Sequence, residues 1–384
     1  MSLFSSKTEL GVVFHIGSAS VGAGLVRFTK GAAPQVIFTV RELLSEKATS
    51  SKDAERLLSQ MIAALERANE RIIHEGASHL KFTEFGGLKV KRVMHIFSSP
   101  WSVTQTRVVS IDEETPFELT EALIEKIAQD VGGVANEIAK ELTIIERKVV
   151  QITLNGYELA DPYGKKAKSA QISIFMSLVP NMVLEKVRQI TIAAFHPKGT
   201  NAHTLALASF STIRDTFQTA PDFLYLDIGG ELSDVAVTKD GLLLESASFP
   251  AGRNTIVSAA AKAFATSPEQ ASSLIRLYEE GKLDDTTKEK VRPVLDEAGE
   301  NWMKSLSDAL TRLSDHVSLP KESYAVIDGD LLPFFMRTLS AGSFSPTLVS
   351  ADRLKDSVSF SEHAEKDAFI AIASAFAARA YDMI

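Results

Sequence analysis

Two segments more than 200 residues apart repeat one local design, and this repetition constrains the fold more than any other feature of the chain. In the first, an apolar run from Val12 to Ile16 meets small turn residues at Gly17 to Ser20 and continues at once into Val21 to Phe28. In the second, Phe223 to Ile228 meets Gly229 and Gly230 and continues through Ser233 toward Leu244. Laid over one another, His15-Ile16-Gly17 falls on Asp227-Ile228-Gly229, and Thr29-Lys30-Gly31 answers Thr238-Lys239-Asp240-Gly241. Apolar runs joined by a Gly/Ser turn read as β-hairpins. Each is followed by a third strand and a helix, and such a matched pair implies an internally duplicated architecture.

Between and after the hairpins the pattern alternates strand and helix. Gln35 to Val40 extends the first meander, and Leu57, Leu58, Met61, Ile62, Leu65, Ala68 and Ile72 give Ser51–Glu75 helical spacing, with Ser51 and Asp53 available as caps. Strands are expected at Val90–Phe97, Ile144–Leu154, Ala170–Val179 and Tyr324–Ile327, with Asn155-Gly156 as a tight turn. Helices are expected over Thr120–Glu141, over Pro180–Phe195 with proline in the first turn, over Asn254–Phe264 and over Glu362–Tyr381. Pro268–His316 reads as a polar helical region with a looped centre at Glu279–Glu289.

A chain of 384 residues has room for two or three lobes at roughly 150 residues per domain. Its 41 Lys and Arg against 49 Asp and Glu leave a net charge of −8, which opposes non-specific binding to nucleic acid or anionic lipid. Cysteine is absent, so disulfides, thiolate nucleophiles and Cys-ligated metals are excluded, and a cytoplasmic setting is expected. The opening residues are too short and polar for a signal peptide. No run approaches the ~18 apolar residues of a membrane span.

The common catalytic motifs are missing. There is no G-x-x-x-x-G-K-[ST], no G-x-G-x-x-G opening a helix, and no H-E-x-x-H. Ser18-Ala19-Ser20-Val21-Gly22 lacks the first glycine of a nucleophile elbow and leads into a strand. The hairpin turns themselves offer chemistry. Consecutive backbone N–H groups in a Gly/Ser turn form an anion nest, and two such turns face to face would clamp a polyphosphate. Asp227, at a strand end, is either a turn cap or a Mg²⁺ ligand.

Ile16-Gly17-Ser18-Ala19-Ser20-Val21 resembles the first phosphate loop of the actin, Hsp70 and sugar-kinase superfamily. Leu226 to Val235 resembles the second phosphate loop, and Ala325-Val-Ile-Asp-Gly-Asp-Leu-Leu-Pro333 stands where the adenosine motif belongs. Within that superfamily the chain is most similar to the cell-division FtsA family and its relative, the pilus-assembly PilM family. Glu146–Gly164 with the strand after it resembles an inserted subdomain, and Phe249-Pro-Ala-Gly-Arg-Asn-Thr-Ile256 resembles the turn after the second phosphate loop.

The resemblance implies an α/β, actin-like (ribonuclease H-like, duplicated) two-lobed ATPase fold with an FtsA-type inserted subdomain. Residues 1–103, 177–221 and 351–384 would form subdomain 1A, and 104–176 the inserted subdomain 1C. Residues 222–266 and 322–350 would form 2A, and 267–321 would form 2B. ATP or ADP with Mg²⁺ is the implied cofactor. His15, Gly17, Ser18, Ala19, Ser20 and Val21 would bind it from one side. Gly229, Gly230, Glu231, Leu232, Ser233, Gly252, Asn254, Gly329 and Asp330 would bind from the other, with Asp227 as catalytic and metal-side residue.

Several positions depart from the pattern. His15 replaces the aspartate on the magnesium side, Glu231 replaces a glycine, and Ser272 stands where a ribose-binding glutamate is usual. A carboxylate beside a polyphosphate disfavours it, and imidazole is a poor Mg²⁺ ligand. At most a weak ATPase is expected. The family's basic amphipathic membrane helix is not seen. Three roles follow: an FtsA-like polymerising scaffold of a division apparatus, a PilM-like cytoplasmic adaptor binding a membrane-protein tail beside the inserted subdomain, or a small-molecule kinase. Expected partners are the chain itself and the cytoplasmic tails or subunits of a membrane-associated complex, with no nucleic acid and recruitment to the membrane only through partners.

Overall fold

The computed structural model describes residues 8–44, 54–80, 89–130, 141–158, 162–217, 221–315, 317–327, 331–342 and 344–382. Three sheets organise them. The first has the strand order β15-β3-β2-β1-β4-β9, from β1 (Thr8–Ile16), β2 (Ser20–Thr29), β3 (Gln35–Leu43), β4 (Val90–Phe97), β9 (Gly199–Thr204) and β15 (Ser359–Phe360). The second has the order β12-β11-β10-β13-β14, from β10 (Phe223–Ile228), β11 (Ser233–Lys239), β12 (Leu242–Phe249), β13 (Ser323–Ile327) and β14 (Thr347–Leu348).

The duplication read from the sequence is present in the topology. The antiparallel run β3-β2-β1, with β4 parallel to β1, is matched by β12-β11-β10 with β13 parallel to β10. The register matches as well: His15 pairs with Gly22, and the corresponding Asp227 pairs with Asp234. Both central strands are buried on both faces over most of their length, as expected for strands covered by helices on each side.

The third sheet, in the order β5-β8-β6-β7, comprises β5 (Val103–Glu118), β6 (Leu142–Leu154), β7 (Tyr157–Glu158) and β8 (Lys166–Pro180). It encloses its own small core under α2 (Glu121–Asp130), around Ile152, Ile172, Ile174 and Met176. It also touches both lobes. The buried Glu146 on β6 accepts bonds from the Thr204 N–H at 3.0 Å and the Thr204 hydroxyl at 2.7 Å, and lies 3.1 Å from His203 Nδ1. On the other side, Thr104 bonds the Ser246 hydroxyl and Thr106 donates to the Leu244 carbonyl on β12.

Helices cover the sheets. α1 (Ala54–His74) buries Met61, Ala64, Leu65, Ala68 and Ile72 against the first sheet, a stripe at helical spacing. Against the same lobe lie α3 (Asn181–Phe195), α4 (Leu205–Phe217) and α9 (Ala368–Asp382). The second lobe carries α5 (Arg253–Phe264), α6 (Pro268–Glu279), the 30-residue α7 (Asp285–Ser314) and α8 (Leu332–Ala341), which bury Trp302, Phe334 and Phe335. Two glycines let α9 approach β2: a Cβ on Gly24 would lie 2.5 Å from Ile370 Cγ2 and one on Gly22 would lie 2.9 Å from Arg41.

The longer elements β5, β9, α4 and α8 lack a sequence expectation, as do the two-residue strands β7, β14 and β15. β5 is an edge strand with a solvent-facing side and an acidic end, so its apolar alternation is faint. The last helix starts at Ala368, after Asp367 accepts hydrogen bonds from the N–H groups of Phe369 and Ile370. Pro180 closes β8 and caps α3 instead of lying inside it. The helix expected over Thr120–Glu141 is described as far as Asp130, and residues 131–140 lie outside the described set.

Candidate functional site

The two hairpin turns are built alike and meet. Gly17 N–H donates to Ser20 O at 3.0 Å, and the corresponding Gly229 N–H donates to Leu232 O at 3.1 Å, so each turn closes on itself with the same bond. Across the gap, Glu231 N–H donates to Ser18 Oγ at 2.9 Å. A Cβ on Gly230 would lie 2.7 Å from both Ala19 Cβ and Ala19 N, so only glycine allows this approach.

Gly252, the residue before α5, sits against the same turn: a Cβ there would lie 2.4 Å from Gly230 O. Asn254 N–H donates to Gly230 O at 2.8 Å, and its side-chain amide donates to Glu231 Oε1 at 2.8 Å. The buried Arg253 guanidinium reaches the Asn254 side chain at 3.1 Å and Ser272 Oγ at 3.0 Å. Thus Gly17 to Ser20, Gly229 to Leu232, Gly252 and Asn254 converge on one place. Val21 and Ser233 face the cores on either side; Ser233 Oγ donates to Ala251 O at 2.7 Å beneath Trp302. Gly329 and Asp330 lie outside the described residues.

His15 is buried, stacked at 4.1 Å on Phe369, with Nε2 3.0 Å from Ser98 Oγ. Burial, and then the nearby Arg41 guanidinium, hold it well below the ordinary histidine range, so the ring is neutral. Asp227 is also buried and lies across the hairpin from Asp234. Both carboxylates line a cleft of about 360 Å³, open solvent at its mouth included, together with hydroxyls of Ser98, Ser99, Thr104, Thr204 and Ser246. Asp234 is raised by desolvation, against the pull of hydrogen bonds from Ser248 and Ser99.

Asp234 and the hydroxyl ring escape motif reading. For Asp234 a signal exists, because Asp227 and Asp234 each lie one residue outside the pair that brackets the four-residue turn, and so must face each other across the hairpin. The hydroxyls come from three separate strands and one loop, and carry no linear pattern.

The fit of a nucleotide can be tested on these contacts. A polyphosphate clamped between the turns needs free N–H donors and a gap. Here the Gly17 and Gly229 N–H groups are spent within their own turns, Glu231 N–H is spent on Ser18, and Gly230 lies against Ala19. The Glu231 carboxylate adds negative charge at the same place. In this arrangement the contact of Gly230 with Ala19 leaves no gap for a polyphosphate between the turns. Among the described residues, no cluster of three or more His, Asp or Glu side chains is placed to hold a metal ion.

A duplicated pair of sheets, turned toward one another so that two glycine turns meet at the base of an interlobe cleft, defines the two-lobed actin-like ATPase fold. No protein-family model and no curated protein matches the chain. Among solved structures, it is similar to a PilM–PilN type IV pilus biogenesis complex, at a TM-score of 0.62 and 14% identity over 96% of this chain and 98% of that one. It is also similar to the ethanolamine utilization protein EutJ from Carboxydothermus hydrogenoformans, at a TM-score of 0.45 and 11% identity over 98% of this chain and 91% of that one. Component A of the Acidaminococcus fermentans (R)-2-hydroxyglutaryl-CoA dehydratase gives a TM-score of 0.39 and 8% identity over 98% of both chains. At such identities the likeness establishes the fold, and only the first superposition is close enough to argue from.

Proposed function

We propose that the chain is a PilM-type adaptor: an actin-like body that binds the tail of a membrane protein and whose nucleotide site has become a joint between lobes. The observation carrying this reading is the likeness to the PilM–PilN complex over 96% of the chain. No described helix is long and apolar enough to cross a membrane, in keeping with attachment through a partner. The direct contact of the two turns supports a degenerate nucleotide site.

Isothermal titration with ATP and Mg²⁺, with a phosphate-release assay, tests the site; no phosphate release above background is expected. Brisk hydrolysis that disappears in Asp227→Ala would overturn this reading. The adaptor role is tested by anisotropy, using a labelled peptide from the cytoplasmic end of a single-span membrane protein encoded beside this chain. The alternatives make their own demands. A polymerising FtsA-like scaffold should form filaments or sheets under negative stain, and a small-molecule kinase needs the phosphate seat that the turns now fill.

A further inference from the structure

A second cluster lies away from the cleft, where the third sheet meets the first lobe. Lys148 on β6 and Arg214 on α4 share the ring of Phe210: the Lys148 ammonium is 5.8 Å and the Arg214 guanidinium 5.1 Å from its centroid. Arg379 on α9 joins them through Asp215, which it meets at 2.9 Å while Arg214 meets the same carboxylate at 2.7 Å. Two guanidinium groups therefore share one carboxylate, and the Lys148 ammonium meets Arg214 over the Phe210 ring. No ion pair of Lys148 is found among the described residues.

Glu146, two residues along β6 and on the same face, is the other nearby anion. It is engaged by Thr204 and His203. The electrostatics carry the mark of this crowding. Lys148 is lowered by burial and then by Arg214; Arg379 is lowered by burial, with Arg214 again opposing its charge while Asp215 favours it. An incoming anion would relieve the repulsion.

We propose that Lys148, Arg214 and Arg379 form a docking spot for the carboxylates of an acidic, extended segment of a partner protein. The partner class follows from the chemistry. The ring of Phe210 beneath the cations gives an apolar floor, and the ammonium and guanidinium supply donors suited to carboxylate oxygens. The claim deepens the adaptor reading and rests on it for the kind of partner.

The full chain is titrated into a fluorescein-labelled hexaglutamate peptide and followed by anisotropy. The wild type should bind, and Lys148→Glu and Lys148→Ala should each weaken binding at least tenfold. Arg147→Glu, at the exposed neighbouring position whose side chain points to the other face of β6, should change it less than twofold. Acetylation of Lys148 by an N-hydroxysuccinimide ester, read by mass spectrometry, should slow when the peptide is added, while that of Lys168 should not. Equal affinity of Lys148→Glu and the wild type, absence of binding, or displacement by inorganic phosphate at matched ionic strength would overturn the proposal. The outcomes separate it from the adaptor reading. If the membrane-protein peptide binds the wild type and Lys148→Glu alike, this spot falls and the adaptor stands. If hexaglutamate binds through Lys148 while the membrane-protein peptide does not bind, the adaptor falls and the spot stands.

Discussion

At the residue scale, two buried neutral histidines make stability depend on pH. His95 lies fully buried, with Nε2 3.0 Å from Thr191 Oγ1, and burial with the nearby Arg188 lowers it to about 3. Its folded value lies below its unfolded one, so the unfolded chain binds the extra proton. Stability is therefore intact above the ordinary histidine value of about 6.5 and is lost as pH falls toward about 3. Each such group contributes up to about 1.4 kcal/mol per pH unit in that window. His15 acts with the same sign, and Asp234, raised in the fold, acts with the opposite one. Urea unfolding at pH 7 and pH 5 should show a loss in the wild type that is smaller by about 2 kcal/mol in His95→Gln; an equal loss in both would refute it. A second residue-scale prediction concerns Glu231. Glu231→Gly removes the carboxylate and its bond to Asn254, and should increase ATP binding by calorimetry relative to the wild type. An unchanged or weaker isotherm would mean that the Ser18 and Ala19 contacts alone keep the turns closed. The identity of Asp227 as a hairpin-end carboxylate was readable in its strand and turn. The fate of His15 was not, because Phe369 and Ser98 arrive from distant parts of the chain.

At the scale of elements, close approach between α9 and β2 depends on the absence of one side chain. Gly24→Ala should cost about 1–3 kcal/mol through overpacking against the β-branched Ile370, measured as a lowered denaturation midpoint. Adding Ile370→Ala should recover part of that loss, giving a coupling energy of about 1 kcal/mol in a double-mutant cycle; strict additivity would show that the contact is not the cause. The join between β6 and β9 is the second test. Glu146→Ala leaves the buried Thr204 N–H and hydroxyl without their acceptor, at a cost of about 1–3 kcal/mol. Faster hydrogen exchange in β9 is expected, and unchanged exchange there would show that the join is not carried by Glu146. Hairpins and amphipathic helices were legible because their periodicity is local: α1 buries the residues its spacing marked. β5 was not, because an edge strand bonded on one side shows solvent and core in no regular order.

At the scale of the whole molecule, the third sheet bridges the two lobes. Glu146 ties it to β9, and Thr104 and Thr106 tie it to β12. A partner bound at Lys148 would therefore sit beside a joint that spans the cleft. If the lobes separate, the contacts Ser18–Glu231 and Thr104–Ser246 must break together. Small-angle scattering on Ser18→Ala/Thr104→Ala should show a larger radius of gyration than the wild type; identical curves would mean that other contacts hold the cleft shut. Negative-stain images of the wild type with and without nucleotide separate the adaptor, which stays dispersed, from a polymerising scaffold.

The amino-acid sequence alone determined the duplicated hairpins, the glycine turns and the polar helical region, because each is written in short-range periodicity and turn chemistry. It also showed the substitutions at His15 and Glu231 that mark a departure from nucleotide clamping. Only the tertiary structure decided that the two turns touch, that Asp234 shares the cleft with Asp227, that Arg214 and Arg379 share the Asp215 carboxylate, and that Lys148 and Arg214 share the Phe210 ring. Those facts depend on how sheets and helices from distant segments pack, and electrostatic crowding arises only when charges with no sequence relation are brought within a few ångströms.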